Sequence, residues 1–286
     1  FDGDPSSADL AKLMGIPALP VIDARGMAQT FGAIALGMAN FDPALPVRQV
    51  IANRIGSARH GDMLRESLPD GIELLGAIPR NETMNIPDRH LGLVQAGELN
   101  GLNQRLDAAA EVLAEAGLDG LPLPVTLEAE KPEPPPKLLN GVRIAIARDA
   151  AFSFVYRANL DLLQTMGAEL AFFSPLVDLN LPEADALWLP GASMAGRLQA
   201  LGLQSLNTEQ GQLRGHTYHH SRLETDWQPL ARTRKVAGTE AEPVYCRKGL
   251  VASYFHGYFP SAPELVAGIF RGQAIRPLID KEPDHA

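Results

Sequence analysis

The chain reads as an α/β protein of two domains, and three observations lead there. Short apolar runs of strand length alternate with helical patterns, as in parallel sheets covered by helices. A proline-rich stretch, Leu121 to Lys137, holds six prolines in seventeen residues. Such chain cannot pack as a helix and stays extended and semi-rigid, so residues 121–137 read as a linker between domains at 1–120 and 138–286. Third, the segment from Gly141 to Pro175 spells out one complete β–α–β unit, the building block of a parallel sheet.

In chain order, Leu19 to Ile22 and Arg48 to Ala52 read as buried strands, with Met27 to Met38 the helix between them and Leu74 to Ala77 a further strand. Leu102 to Ala116 is an amphipathic helix whose apolar stripe is Leu106, Ala110, Leu113 and Ala114. Past the linker, Val142 to Ala147 is a strand. Leu160, Leu163 and Met166 recur at helical spacing, Gly167 stops that helix, and Leu170 to Phe173 begins the next strand. Ala186 to Pro190 is a third apolar run. From Leu213 the pattern changes to short alternating segments, Thr217–Leu223, Val244–Tyr245 and Leu250–Phe255, which read as antiparallel strands.

The 286 residues are 45% hydrophobic and 21% charged, an ordinary soluble globular composition. A net charge of −9 argues against a general nucleic-acid surface. No apolar run is long enough for a bilayer and no secretory signal opens the chain. Cys246 is the only cysteine, which excludes an intramolecular disulfide and a multi-cysteine metal site. A cytoplasmic protein without membrane or nucleic-acid partners fits these features.

Between the strand and helix of the β–α–β unit sit Arg148, Asp149, Ser153, Tyr156 and Arg157. Open α/β sheets hold ligands at such strand ends; capping of the helix by Asp149 and Ser153 is the competing account. His216, His219 and His220 invite a metal reading. Strand alternation, however, places His216 and His220 on one face and His219 on the other, and only Glu224 is near as an acidic partner. A substrate or interdomain contact is the preferred account.

The wording "IARDAAFSF", the Tyr156 and Asn159 that follow, and "GAELAFFSPL" resemble the cobyrinate (hydrogenobyrinate) a,c-diamide synthase family. Further stretches match it in order: "FDGDPSSADLAKLMGIP", "VIDARGMAQT", "IANRIGSARH", "LGAIPR", "IPDRHLGLVQAGE", "LRGHTYHHSRLE" and "VASYFHGYFPSAPEL". The resemblance implies a P-loop NTPase-like (dethiobiotin-synthetase-like) parallel-sheet domain at 1–120 and a class I glutamine amidotransferase-like α/β domain at 138–286. It implies ATP- and glutamine-dependent amidation of the a- and c-acetate side chains of cobyrinate or hydrogenobyrinate, through acyl phosphates, in cobalamin biosynthesis. A homodimer is compatible with it.

The resemblance also implies residue roles. Asp2, in the turn Phe1-Asp2-Gly3-Asp4, inherits a place near Mg2+ and the substrate; a solvated turn is the plain alternative. Asn53, just after its strand, looks like the adenine reader of the ATP site, with Arg54, Pro79 and Arg80 in the same neighbourhood, although an asparagine at a strand end is also a common turn former. Arg89, His90 and Glu98 match the family wording, with surface ion pairing an equal account. His256, in "SYFHGYF", matches the catalytic histidine of the glutaminase; a packed surface histidine is the plain alternative.

Two parts of the family pattern are missing. No GxxxxGK[ST] phosphate loop occurs in the 286 residues, so tight ATP binding by this chain alone is not expected. After "LWLPG", where the family continues to its cysteine nucleophile, Gly191 runs into "ASMAGRLQALGLQ", which resembles a segment further downstream. Cys246 lies in an apparent hairpin ending at Gly249, not on a strand-to-helix elbow, and is rejected as the nucleophile. Phe1 falls inside the first matched stretch, so the chain is read as a fragment, inactive alone. The rival is a truncated, non-catalytic relative serving as a corrinoid-binding or scaffold protein.

Overall fold

The computed structural model describes residues 6–84, 99–118, 125–127, 133–191 and 199–278. It is α/β and falls into two compact units, Phe1–Glu130 and Lys131–Ala286.

In the first unit, helix α1 (Ser7–Met14) starts where the Ser6 hydroxyl accepts a hydrogen bond from the Asp9 amide and ends at Gly15, whose φ of 65° suits glycine. Then follow β1 (Val21–Asp23), α2 (Gln29–Phe41), β2 (Gln49–Ile55), α3 (Ala58–Glu66) and β3 (Glu73–Pro79). The three strands are parallel, in the order β1-β2-β3. Ile22, Val50, Ala52 and Ile55 of the sheet meet Phe31, Ala35 and Leu64 of the helices in one core. Helix α4 (Leu102–Glu115) packs through Val112 and Leu113 against Ile51 and Ile78. The expected stripe is therefore rotated: Leu106, Ala110 and Ala114 are exposed, and only Leu113 lies on the packed side.

The second unit opens with β4 (Arg143–Ala147), α5 (Arg157–Thr165), β5 (Glu169–Phe173) and β6 (Ala186–Trp188). They form a parallel sheet ordered β5-β4-β6. Ile144 to Ala147 are all buried, as a central strand covered on both faces requires. An antiparallel sheet follows: β7 (Ala200–Thr208), β8 (Gly211–His219), β9 (Ala231–Lys235), β10 (Glu240–Arg247), β11 (Leu250–Ala252) and β12 (Phe255–Tyr258). Helix α6 (Pro263–Phe270) then adds Leu265 and Val266 to a core shared with Leu139, Ile144, Ile146, Leu163, Leu206, Leu213 and Val244. No described helix is long and apolar enough to cross a membrane.

The order of the antiparallel sheet, β11-β10-β9-β7-β8-β12, forces it to curl. Laid flat, its two edge strands would stand roughly 24 Å apart. Only Ser253 and Tyr254 join β11 to β12, a link that reaches about 11 Å. The sheet therefore rolls until its edges approach. Gln204, Thr217 and Thr233 are buried in it, and Thr233 donates hydrogen bonds to the Gln204 side chain and the Glu242 carbonyl.

Sequence and structure differ in this half. The strand expected over Thr217–Leu223 begins earlier and ends at His219, while β7 and β9 were not anticipated. The β10–β11 hairpin is as expected: Arg247 pairs with Leu250, and Lys248 and Gly249 turn the chain at φ 49° and 82°, the positive values a type I′ turn requires.

Candidate active site

His256 lies on β12 directly opposite His216 on β8. Neighbouring strands place such a pair on one face, and the two rings stack with centroids 5.3 Å apart. The edge-on ring of Phe154, from the β4–α5 connection, lies 4.8 Å from the His256 ring. Gly191, just after β6, closes the other side. A Cβ there would sit 2.5 Å from His256 Cε1 and 3.2 Å from Phe154 Cβ, so only glycine allows this approach. The Phe154 amide donates to the Gly191 carbonyl at 3.4 Å, tying the connections after β4 and β6 together. His256 thus sits where a parallel sheet holds its ligands.

The Tyr156 hydroxyl and His216 Nδ1 share a hydrogen bond at 2.6 Å. Burial lowers the His216 pKa and raises that of Tyr156. For His256, burial first, then the charges that His216 and His219 would carry, push the pKa down to about 4. The ring is neutral at physiological pH and makes no hydrogen bond to a carboxylate among the described residues. A neutral imidazole beside a strand-end loop has a free lone pair to receive a proton, but at this pKa it is a weak base until an anionic partner raises it.

Asp149 shapes the loop that carries Phe154. Its carboxylate accepts from the amides of Ala151, Phe152 and Leu176 and from the Ser174 hydroxyl, at 2.8–3.1 Å. Desolvation alone would raise its pKa, but these bonds bring it below the usual carboxylate value. The competing capping account fails: the residue at the start of α5 is Tyr156, and no side chain caps that helix.

His219 faces away from this site, as the strand alternation required. Its Nδ1–H donates to the Ser221 carbonyl at 2.8 Å and its Nε2 lies 3.0 Å from Glu242 Oε1, while Tyr254 stacks on the ring at 4.0 Å. Glu242 also accepts from the Thr217 hydroxyl. Its carboxylate is therefore committed to the inside of the curl. Cys246 is exposed, and its cross-strand partner is Val251; the imidazole of His256 is packed by Phe154, His216 and Gly191 instead.

In the first unit, Asn53 and Arg54 do not follow their strand but lie within it, since β2 runs to Ile55. Pro79 likewise ends β3 rather than following it, and Arg80 comes next. The ladder brings these positions side by side: Asn53 pairs with Ile78 and Ile55 with Pro79, with an irregularity between Asn53 and Ile55. Arg54 occupies that irregularity at φ 63°, a left-handed value disfavoured for a residue with a Cβ. Its guanidinium reaches Asp23 at 3.1 Å, and Asp23 also pairs with Arg25 at 2.9 Å. The Arg25 hydrogen bond is the main reason the Asp23 pKa falls. Arg80 pairs with Glu82 at 2.9 Å. Asp2, Arg89, His90 and Glu98 lie outside the described residues, and among the described residues no group of three or more His, Cys, Asp or Glu could hold a metal.

Sequence reasoning singled out His256, the loop with Tyr156, and Arg54, but not Phe154 and Gly191 as partners of His256 or Asp23 as the partner of Arg54. The aromatic wording of the loop was the signal for Phe154. The other two contacts come from register.

The chain is 44% identical over 333 aligned residues to a hydrogenobyrinate a,c-diamide synthase of Stutzerimonas stutzeri, covering 95% of this chain and 77% of that protein. It is 43% identical to a hydrogenobyrinate a,c-diamide synthase of Pseudomonas aeruginosa, covering 94% and 76%, and 37% identical to a cobyrinate a,c-diamide synthase of Herminiimonas arsenicoxydans, again covering 94% and 76%. The 333 aligned residues exceed the 286 of this chain, so within the matched span the relative carries residues that this chain lacks. No family model matches, and no solved structure matches.

Proposed function

Because the chain belongs to the hydrogenobyrinate/cobyrinate a,c-diamide synthase family of cobalamin biosynthesis, we propose that it supplies the base of a glutamine-dependent amidotransferase that amidates the a- and c-acetate carboxylates of hydrogenobyrinate or cobyrinate. The single observation behind the site assignment is the neutral His256, shielded by Phe154, His216 and Gly191 at the end of the parallel sheet.

In this proposal the second unit is a class I glutaminase. A cysteine thiol loses its proton to His256 as its sulfur attacks the glutamine amide carbon. The imidazolium returns that proton to the leaving nitrogen, and ammonia departs, leaving an acyl thioester for water to cleave. A pKa near 4 makes His256 a weak base when alone, yet a thiolate set against the ring would raise it. The site thus lacks one member, and Cys246, exposed on its hairpin, is not that member. The proposal places the nucleophile among residues that the relatives carry and this chain does not.

The first unit is proposed as the amide-forming part. ATP, the activating co-substrate, would turn each carboxylate into an acyl phosphate that ammonia can attack. Asn53, Arg54, Pro79 and Arg80 are assigned to the nucleoside end of ATP, at the adjoining ends of β2 and β3. No described residue is suited to the triphosphate, and no step is assigned to Mg2+. A scaffold role has no feature in its favour beyond the missing segments, and the relatives are named as synthases.

The 286-residue chain alone should release no ammonia from glutamine. The protein isolated from its natural source should have a mass above 30.7 kDa and amidate hydrogenobyrinate or cobyrinate with either glutamine or ammonium salt. Ammonia release by the 286-residue chain would refute the assignment.

A further inference from the structure

We infer that Asn159 is a positioning residue for His256: its amide, buried in α5, clamps the backbone of the histidine-bearing strand and sets the depth of the ring against Gly191. This rests on the assignment of His256 as the base. Asn159 is 2% exposed, one of few buried polar side chains among the described residues. Its Nδ2 donates to the Gly257 carbonyl at 2.9 Å, and its Oδ1 accepts from the Phe259 amide at 2.7 Å. Both ends of one planar group are thereby used on residues about a hundred positions away in sequence.

The neighbours of Asn159 explain why the contact should be functional rather than mere filling. Helix α5 buries Leu160, Leu162 and Leu163 beside it, so an apolar residue at 159 would satisfy the core. A polar group in that setting costs stability unless fully bonded. What the amide adds is direction: it fixes the Gly257–Tyr258 peptide through the Gly257 carbonyl, and the Phe259 amide just past Tyr258. Leu213 meanwhile crowds Gly257, where a Cβ would lie 2.9 Å from Leu213 Cδ2. The strand is therefore held by Asn159 along its backbone and by Leu213 at its face. The same helix begins next to Tyr156, whose hydroxyl holds His216. One element thus orients both stacked imidazoles.

The test uses the 286-residue chain and needs no turnover. The imidazole of His256 is titrated by NMR in the wild type, Asn159→Leu and Asn159→Asp, with chemical denaturation to establish that each is folded. Asn159→Leu removes both bonds. Asn159→Asp keeps the acceptor for the Phe259 amide and sets a carboxylate against the Gly257 carbonyl. Release of the strand should let water reach the ring, so the His256 pKa should climb from about 4 toward its ordinary 6.5 by at least about one unit in both variants. If Asn159→Leu does not fold, Asn159→Asp, which preserves the side-chain volume, carries the test. A folded variant with an unmoved His256 pKa would reduce Asn159 to a structural residue and overturn the inference. Separately, in the protein from its natural source, Asn159→Asp should lower glutamine-driven turnover about 10- to 100-fold and spare ammonia-driven turnover. A His256→Ala protein that still used glutamine would instead refute the site assignment, and the NMR outcome would stand apart from it.

Discussion

His256 and Arg54 both lie near the C-terminal ends of parallel strands, but in opposite physical settings. Around His256, groups from β4–α5, β6, β8 and α5 converge on a shielded neutral ring. Around Arg54, an exposed cluster of Asp23, Arg25 and Arg54 sits in water, with side chains 41%, 64% and 49% exposed. The first arrangement holds its geometry before any ligand arrives. The second is screened by solvent, so its ion pairs strengthen only when something desolvates them. The contrast teaches where this chain is preorganised: around His256, the proposed base, and not around the residues proposed for the nucleotide.

The largest expected effect tests that claim directly. In the protein from its natural source, His256→Ala should lower glutamine-driven amidation by about 100-fold or more, with ammonia-driven amidation kept. Equal loss of both would mean that the two units do not divide the chemistry as proposed. Next in size is Gly191→Ala. The added methyl would meet His256 Cε1 and Phe154, and such overpacking costs about 1–3 kcal/mol. Denaturant titration should show the loss, and the His256 titration should shift upward as the ring is displaced into water.

The shielding of His256 also predicts a pH dependence. Its pKa falls from 6.5 in the unfolded chain to about 4 in the folded one. Between these values the unfolded chain binds the proton and the folded chain does not. Stability is therefore full above about pH 6.5, drops as pH falls through the window, and levels off below about 4. With the partial exposure of the ring discounted, the change is on the order of 1 kcal/mol. His256→Gln should flatten the profile in that window; an unchanged slope would place the protonation elsewhere.

How much of this was legible depended on what each strand buries. The β–α–β unit from β4 to β5 was readable because its strand and helix faces are apolar and Gly167, at φ 96°, stops the helix where a left-handed residue was needed. β7 and β9 were missed because the curl inverts the usual alternation. Gln204 of β7 and Thr233 of β9 are buried, while Leu201 and Leu203 are 62% and 61% exposed, so apolar periodicity pointed the wrong way. The α4 stripe slipped for a milder reason: alanines at 108, 109, 110 and 114 make several faces equally plausible. At the site, His256 was legible from its motif. Its partners were not, since Asn159 and Gly191 reach it only through long-range pairing that no local pattern encodes.

The smallest prediction sharpens the other side of the comparison. Arg54 sits in the central strand of its sheet at φ 63°, a conformation glycine adopts freely and arginine does not. If the cluster with Asp23 contributes little while exposed, Arg54→Gly should relieve the backbone more than it loses in ion pairing and raise stability by up to about 1 kcal/mol. Arg54→Ala keeps the strain and removes the pair, so it should leave the melting temperature nearly unchanged or slightly lower. Were Arg54→Gly the more destabilising of the two, the guanidinium would be holding β1 to β2 through Asp23, and the strand ends of the first unit would be as preorganised as the surroundings of His256 in the second.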